Sequence, residues 1–200
     1  MSTLTASPST DAPTADGDRI DWLRCLPFIA LHIAVLGVIW VGWSWFAITT
    51  AVVLYFVRMF AVTAFYHRYF SHRAFKTSRV MQFLMAALAG TAAQRGPLWW
   101  AAHHRHHHVH SDHEPDVHSP SLRGLLMSHC GWFMTRDAYR TNTRIVRDWL
   151  RFRELRLLDR FDWFMPLVLA LSLYSVGALL EVFAPGLNVT GMQLFIWGFV

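Results

Sequence analysis

The 200-residue chain carries two cysteines, Cys25 and Cys130, and no Cys-x-x-Cys pair. That excludes a disulfide framework and leaves a thiolate zinc site or an iron–sulfur cluster without ligands. Electrons, if a reaction needs them, must come from another protein or domain. The His-Glu-x-x-His signature of zinc proteases is absent, and so are the Glu-x-x-His motifs of soluble di-iron bundles. Charge is scarce as well: 16% of residues are charged against 54% hydrophobic, with ten Trp and fifteen Phe. A soluble domain of this size needs less apolar surface. Residues 1–18 have neither an apolar run nor the basic n-region of a secretory signal, and read as a disordered tail ahead of one domain over 19–200.

The apolar residues are segmental. Leu26–Trp45 and Phe46–Phe65 are each long enough to cross a hydrocarbon core of about 30 Å at about 1.5 Å per residue. Gly42-Trp43-Ser44-Trp45 forms the turn between them, with tryptophans at the interface. A third span covers Trp163–Phe183, and a further apolar run begins at Val189 and stops at Val200. Twelve residues cannot cross, so this reads as a fourth crossing cut short. The expected fold is all-α and integral to the membrane: two helical hairpins with a helical, histidine-rich region between them.

Fifteen of the eighteen Lys and Arg fall between Arg68 and Arg160, and the turn near Trp43 has none. The positive-inside rule then places the N-terminus and the 67–160 region in the cytoplasm. Val80–Ala93 is apolar but too short to span, and reads as an interfacial or re-entrant helix. Asp137–Arg160 reads as one amphipathic helix, because Arg136, Arg140, Arg144, Arg147 and Arg151 recur at steps of three or four. Its basic face suits anionic headgroups, or an acidic electron donor or substrate phosphates. Arg58 lies inside the second span, nine residues before His67. Such a charge either serves a function or snorkels to the cytoplasmic face.

Eleven of the twelve histidines lie between His67 and His129, five of them in the run His103–His108. Neutral imidazole is the commonest protein metal ligand. On a helix His104, His107 and His108 stand at i, i+3 and i+4 and share a face. His67 and His72 are five apart, about 140° round an α-helix, so they point the same way only if the helix distorts. Five imidazoles exceed one tetrahedral zinc and fall short of two six-coordinate ions, which favours a dinuclear centre completed from elsewhere. A metal-transport loop would carry low-complexity, Gly- or Ser-rich surroundings, whereas aromatic residues frame these clusters. His32, His106, His110 and His113 read as ordinary surface residues.

The segments YHRYFSHRAFKTSR, QRGPLWWAAHHRHHHVHSDHEPDVHSP and SHCGW resemble membrane fatty acyl desaturases of the stearoyl-CoA Δ9 type, in bacterial form, over about residues 20–200. The resemblance implies two irons, O₂ as co-substrate, and removal of two hydrogens from a saturated acyl chain, on coenzyme A at the Δ9 position. It assigns His67, His72, His104, His107 and His108 as metal ligands. Gln94 and Trp100 fall where the family lines its substrate tunnel, with Trp99 as a neighbouring candidate. Arg73, Lys76, Arg95 and Arg123 are candidates for the headgroup at the tunnel mouth. Asp112, Glu114, Asp116 and His118 follow the second histidine box and are candidates to bond the outer N–H of ligating imidazoles. The implied partners are a fatty acyl thioester, ferredoxin or cytochrome b5 with its reductase, and the lipid bilayer, with no nucleic acid. The expected location is the bacterial inner membrane. The family's third histidine box would lie beyond Val200, so residues 1–200 alone are expected to bind metal weakly and to lack turnover. Alkane or sterol-type hydroxylases share the boxes and form the competing enzyme class.

Overall fold

The computed structural model describes residues 17–114 and 116–200. Among them the regular structure is helical, and the one β contact is an isolated antiparallel bridge between Ile20 and Thr135. Three helices are long and apolar enough to cross a membrane: α1 (Trp22–Val41), α2 (Trp45–Ser71) and, later in the chain, Phe164–Phe183. Between them lie α3 (Arg79–Gly90), α4 (Pro97–His110) and α5 (Arg153–Arg160). The third crossing is α6 (Phe164–Phe183), followed by α7 (Gly191–Phe199). Of the tail expected over 1–18, residues 1–16 lie outside the described residues. Gly17 and Asp18 are tied down, by Asp137 N–H on the Gly17 carbonyl (3.2 Å) and by the Arg123–Asp18 ion pair (3.0 Å).

Four helix starts follow local capping chemistry. Asp21, Ser44, Ser78 and Thr190 accept a backbone N–H with their side chains at the N-termini of α1, α2, α3 and α7. Helix α4 has Gly96 and Pro97 at its start and borrows its cap: the Asp159 carboxylate of α5 accepts Trp99 N–H at 2.7 Å. That contact brings the two backbones so close that a Cβ on Gly96 would stand 2.4 Å from Asp159 Cα. The turn between α1 and α2 needs Gly42, whose φ is +66°.

The membrane hairpins are stitched by polar bonds. Ser44 donates to Gln193 Oε1 (2.8 Å), Gln193 Nε2 to Val41 O (3.1 Å), and Trp197 Nε1 to Gly42 O (2.8 Å). Such interhelical bonds replace the hydrophobic drive that lipid cannot provide. Arg58 neither dangles nor stays bare: it donates to the Gly198 and Phe199 carbonyls of α7 at 3.1 and 3.3 Å. A second core sits where the end of α2 meets α3, α4 and α5, around Tyr66, Phe70, Met85, Leu98, Trp149 and Leu155.

One expected element is corrected. Asp137–Arg160 is not a single helix; it contains short turns at Asp137–Tyr139 and Arg147–Leu150 before α5. The Asn142 side chain accepts Arg144 N–H, the Thr141 hydroxyl bonds Asp159, and the Ile145 carbonyl turns to Arg105. These competing bonds take groups a continuous helix would use.

Helices α6 and α7 approach through glycine. A Cβ on Gly177 would lie 2.7 Å from Thr190 O and 2.8 Å from Gly191 Cα, both backbone atoms that cannot yield. Gly177→Ala is therefore expected to destabilise the fold by about 1–3 kcal/mol. Thermal unfolding in detergent checks this, with Gly186→Ala as control, since nothing lies within 4 Å of a Cβ there. Equal melting temperatures for the two variants would contradict the packing.

Candidate metal centre

Helix α2 contains 27 residues, about 40 Å at the α-helical rise, against a hydrocarbon core of about 30 Å. The helix is long enough for its last turns, which carry the first histidine pair, to reach the membrane surface. There the helix widens: Val62–Ser71 is a π-helix, and His72 N–H donates to the His67 carbonyl at 3.2 Å. In this i→i+5 arrangement residues five apart stack on one face. The His67 and His72 rings stand 4.6 Å apart, so the distortion that the spacing required is a π turn.

Helix α4 presents the second set. His104 faces the first pair, with ring centroids 4.6 Å from His67 and 5.1 Å from His72. His72 Nε2 and His108 Nε2 lie 3.1 and 3.0 Å from His104 Nε2. One ring nitrogen from each of His67, His72, His104 and His108 falls within 4.8 Å of the others. Donors about 2.1 Å from a shared metal ion stand about 3–4 Å apart, so this set could hold one ion once drawn slightly inward. The rings are poised for it. Burial, then the neighbouring His67 and His108, push His104 down to about 3, and burial with the same kind of crowding lowers His72. With these shifts the His104 and His72 rings favour the neutral form, whose lone pair a cation can take.

His107 belongs elsewhere. Although it follows His104 by three, its ring is 6.4 Å away, and it groups with Asp116 and His118. Asp116, 1% exposed, accepts His107 Nδ1–H at 2.9 Å and the backbone N–H groups of His118 (2.9 Å) and Asp112 (3.0 Å). This orients the imidazole and frees its Nε2. Burial pushes the Asp116 carboxyl up, but the three donated bonds outweigh it and hold it at about 2. The other residues expected to support the ligands divide. The His118 ring lies 4.9 Å from His107, whereas Asp112 spends its carboxylate on Ser119 (2.8 Å) and Glu114 is exposed.

Beside the four-histidine group lies an apolar cavity of about 1610 Å³, lined by Gln94, Trp100, His103 and His104 and walled by α1, α6 and α7. Trp100 stacks on His104 at 4.9 Å and donates to Gln94 Oε1 at 3.3 Å. Trp99 also lines the cavity, but turns its indole N–H to the Ala138 carbonyl and stacks on Trp132. Of the cationic residues expected at a mouth, Arg95 lines the cavity, and it pairs with Asp162 at 2.8 Å. Arg73 pairs with Asp148 and Arg123 with Asp18; these two and the exposed Lys76 are not among the described lining residues. Arg24 and Arg160 line the cavity instead. They come from the start of α1 and the end of α5, and no local pattern in the sequence marks them.

The Asp116 carboxyl has a folded pKa below its ordinary 3.8. Its contribution to stability is thus present above about pH 4 and is lost as pH falls toward about 2. Asp116→Asn is expected to lower the melting temperature at about pH 6, with the gap from wild type shrinking below about pH 4. A gap that does not change with pH would contradict the assignment.

Residues 18–200 match the fatty acid desaturase family. Similar proteins include an sn-1 stearoyl-lipid 9-desaturase of Anabaena variabilis, 31% identical over 92% of this chain and 64% of its own length. An acyl-CoA 5-desaturase of Anemone leveillei is 30% identical over 96% of the chain and 62% of its own length. A hex-5-enoyl-(acyl-carrier protein) acetylenase of Moorena producens is 28% identical over 92% and 62%. The chain thus spans a little under two thirds of the length of these relatives. With its membrane-length helices and clustered imidazoles, the chain belongs to the fatty acid desaturase family.

Proposed function

We propose that the protein desaturates a saturated fatty acyl chain with O₂ at a histidine-held di-iron centre on the cytoplasmic side of a bacterial inner membrane. The observation that carries this is the four-imidazole group opening onto an apolar cavity through His104 and Trp100. His67, His72, His104 and His108 would hold one iron, and His107, oriented by Asp116, would serve the second. Bound iron would supply O₂ activation: the saturated pair of carbons, O₂, two electrons and two protons give an alkene and two waters. Neutral imidazoles leave the ions' charge uncompensated, which suits an electrophilic oxidant.

The chain's own residues do the positioning. An acyl chain is an apolar rod, and the cavity's apolar wall excludes water from it while its depth selects which carbon meets the histidines. Trp100, fixed by Gln94 and stacked on His104, forms the wall nearest the ligands. The electrons would come from an external donor, and the family resemblance implies ferredoxin or cytochrome b5 with its reductase. We take coenzyme A as the acyl carrier and Δ9 as the position, and the relatives' names, which cover lipid, coenzyme A and acyl-carrier-protein forms, set the comparison to make.

The complete open reading frame, expressed in membranes with ferredoxin and its reductase, should convert a saturated acyl substrate to a cis alkene. Stearoyl groups on coenzyme A, on acyl carrier protein and in phospholipid identify the carrier. His104→Ala and His107→Ala are each expected to abolish the product. An alcohol product would make the protein a hydroxylase, and no O₂ consumption would favour metal transport. Wild-type turnover in either variant would overturn the ligand assignment.

A further inference from the structure

The guanidinium of Arg105 lies in the middle of the histidine run yet points away from it, with its side chain 19% exposed. Each of its five N–H groups finds an acceptor. Nε donates to Ser71 O (2.9 Å) and Nη2 to Phe70 O (2.7 Å). Nη1 donates to Ile145 O (3.0 Å), and the two Nη atoms clasp the Asp148 carboxylate at 2.9 and 3.0 Å. Phe70 and Ser71 are the last two residues of the π turn, where a helix leaves carbonyls without intrahelical donors. The bond from Arg105 to Ser71 runs beside the His104–His72 pair, one residue along the chain on each side. It joins the backbone of one histidine-bearing helix to the side chain of the other.

We infer that Arg105 is a positioning residue that sets the distance between the first histidine pair and the second; this rests on the reading of those histidines as metal ligands. Five donors on a rigid planar fork satisfy two helix-end carbonyls, a loop carbonyl and a bidentate carboxylate at once. A lysine ammonium, with three donors on a flexible stem, cannot span that set. Asp148 holds the fork from the far side and is itself approached by Arg73 at 3.6 Å. Loosening the fork would let the end of α2 drift from α4 and spread the imidazoles, although no ligand is touched.

Co(II) titration of the full chain in detergent tests this, because the visible band intensity of bound Co(II) reports how many ligands surround it. Arg105→Lys is expected to weaken Co(II) binding about 10–100-fold and to change the band intensity. Asp148→Asn, which leaves the three carbonyl bonds in place, should weaken it less and keeps the test open if Arg105→Lys does not fold. Arg79→Lys breaks a comparable bidentate pair, Arg79 with Glu154 at 2.7 and 2.8 Å, away from the histidines. It should leave Co(II) affinity and spectrum unchanged. A role confined to stability would lower the melting temperature of Arg105→Lys with wild-type affinity and spectrum, and that result overturns the inference. His104→Ala separates the two readings: wild-type Co(II) binding in that variant overturns the ligand assignment and the inference with it. Loss of binding in His104→Ala beside unchanged binding in Arg105→Lys overturns the inference alone.

Discussion

One backbone hydrogen bond, from His72 N–H to the His67 carbonyl at 3.2 Å, is the constraint on which the site depends. In an α-helix these side chains would diverge by about 140°. The i→i+5 turn stacks them, so that α2 presents two imidazoles at one point near its C-terminal end. Everything else in the centre is arranged around that pair. Helix α4 brings His104 and His108 against it, Asp159 fixes where α4 begins, and Arg105 ties the middle of α4 to the end of the π turn. A π turn of ten residues in a membrane helix departs from regular structure, and its tolerance here follows from the carbonyls that Arg105 and Trp149 satisfy at Phe70 and Ser71.

The sequence made the membrane-length helices and the clustering of the histidines legible, because both are written in local patterns. Apolar runs of membrane length and histidines at i, i+3 and i+4 need no knowledge of what packs where. The sorting of those histidines was not legible. His104 and His107 share a helix face by spacing, yet Asp116 draws His107 to one side while His72 faces His104 on the other. Asp116 stood out only as one of three acids after the run, and burial decides among them: Asp112 bonds Ser119 and Glu114 faces solvent. Arg105, hidden among histidines, gave no signal, since its five acceptors come from segments 34 to 43 residues away.

The arginine-rich segment shows the opposite failure, a periodicity that is not a helix. Arg140, Arg144, Arg147, Arg151, Arg153, Arg156 and Arg160 are all exposed. The acids between them take other partners: Asp148 pairs with Arg105, Glu154 with Arg79, and Asp159 accepts Trp99 N–H and the Thr141 hydroxyl. Asp148 and Asp159, both half-buried, tie this segment to α4 beneath the exposed arginines. Burial raises the Asp159 carboxyl from its ordinary value, and the donated bonds resist that rise, which shows how far inside this acid sits.

The central claim is that four imidazoles from α2 and α4 converge on one ion while His107 serves another. X-ray absorption at the iron edge of the reconstituted His107→Ala protein tests it directly. Retained iron is expected, with a nitrogen shell at about 2.1 Å and the outer-shell scattering of four imidazole rings. Iron lost altogether from His107→Ala, or a first shell dominated by carboxylate oxygen, would contradict it.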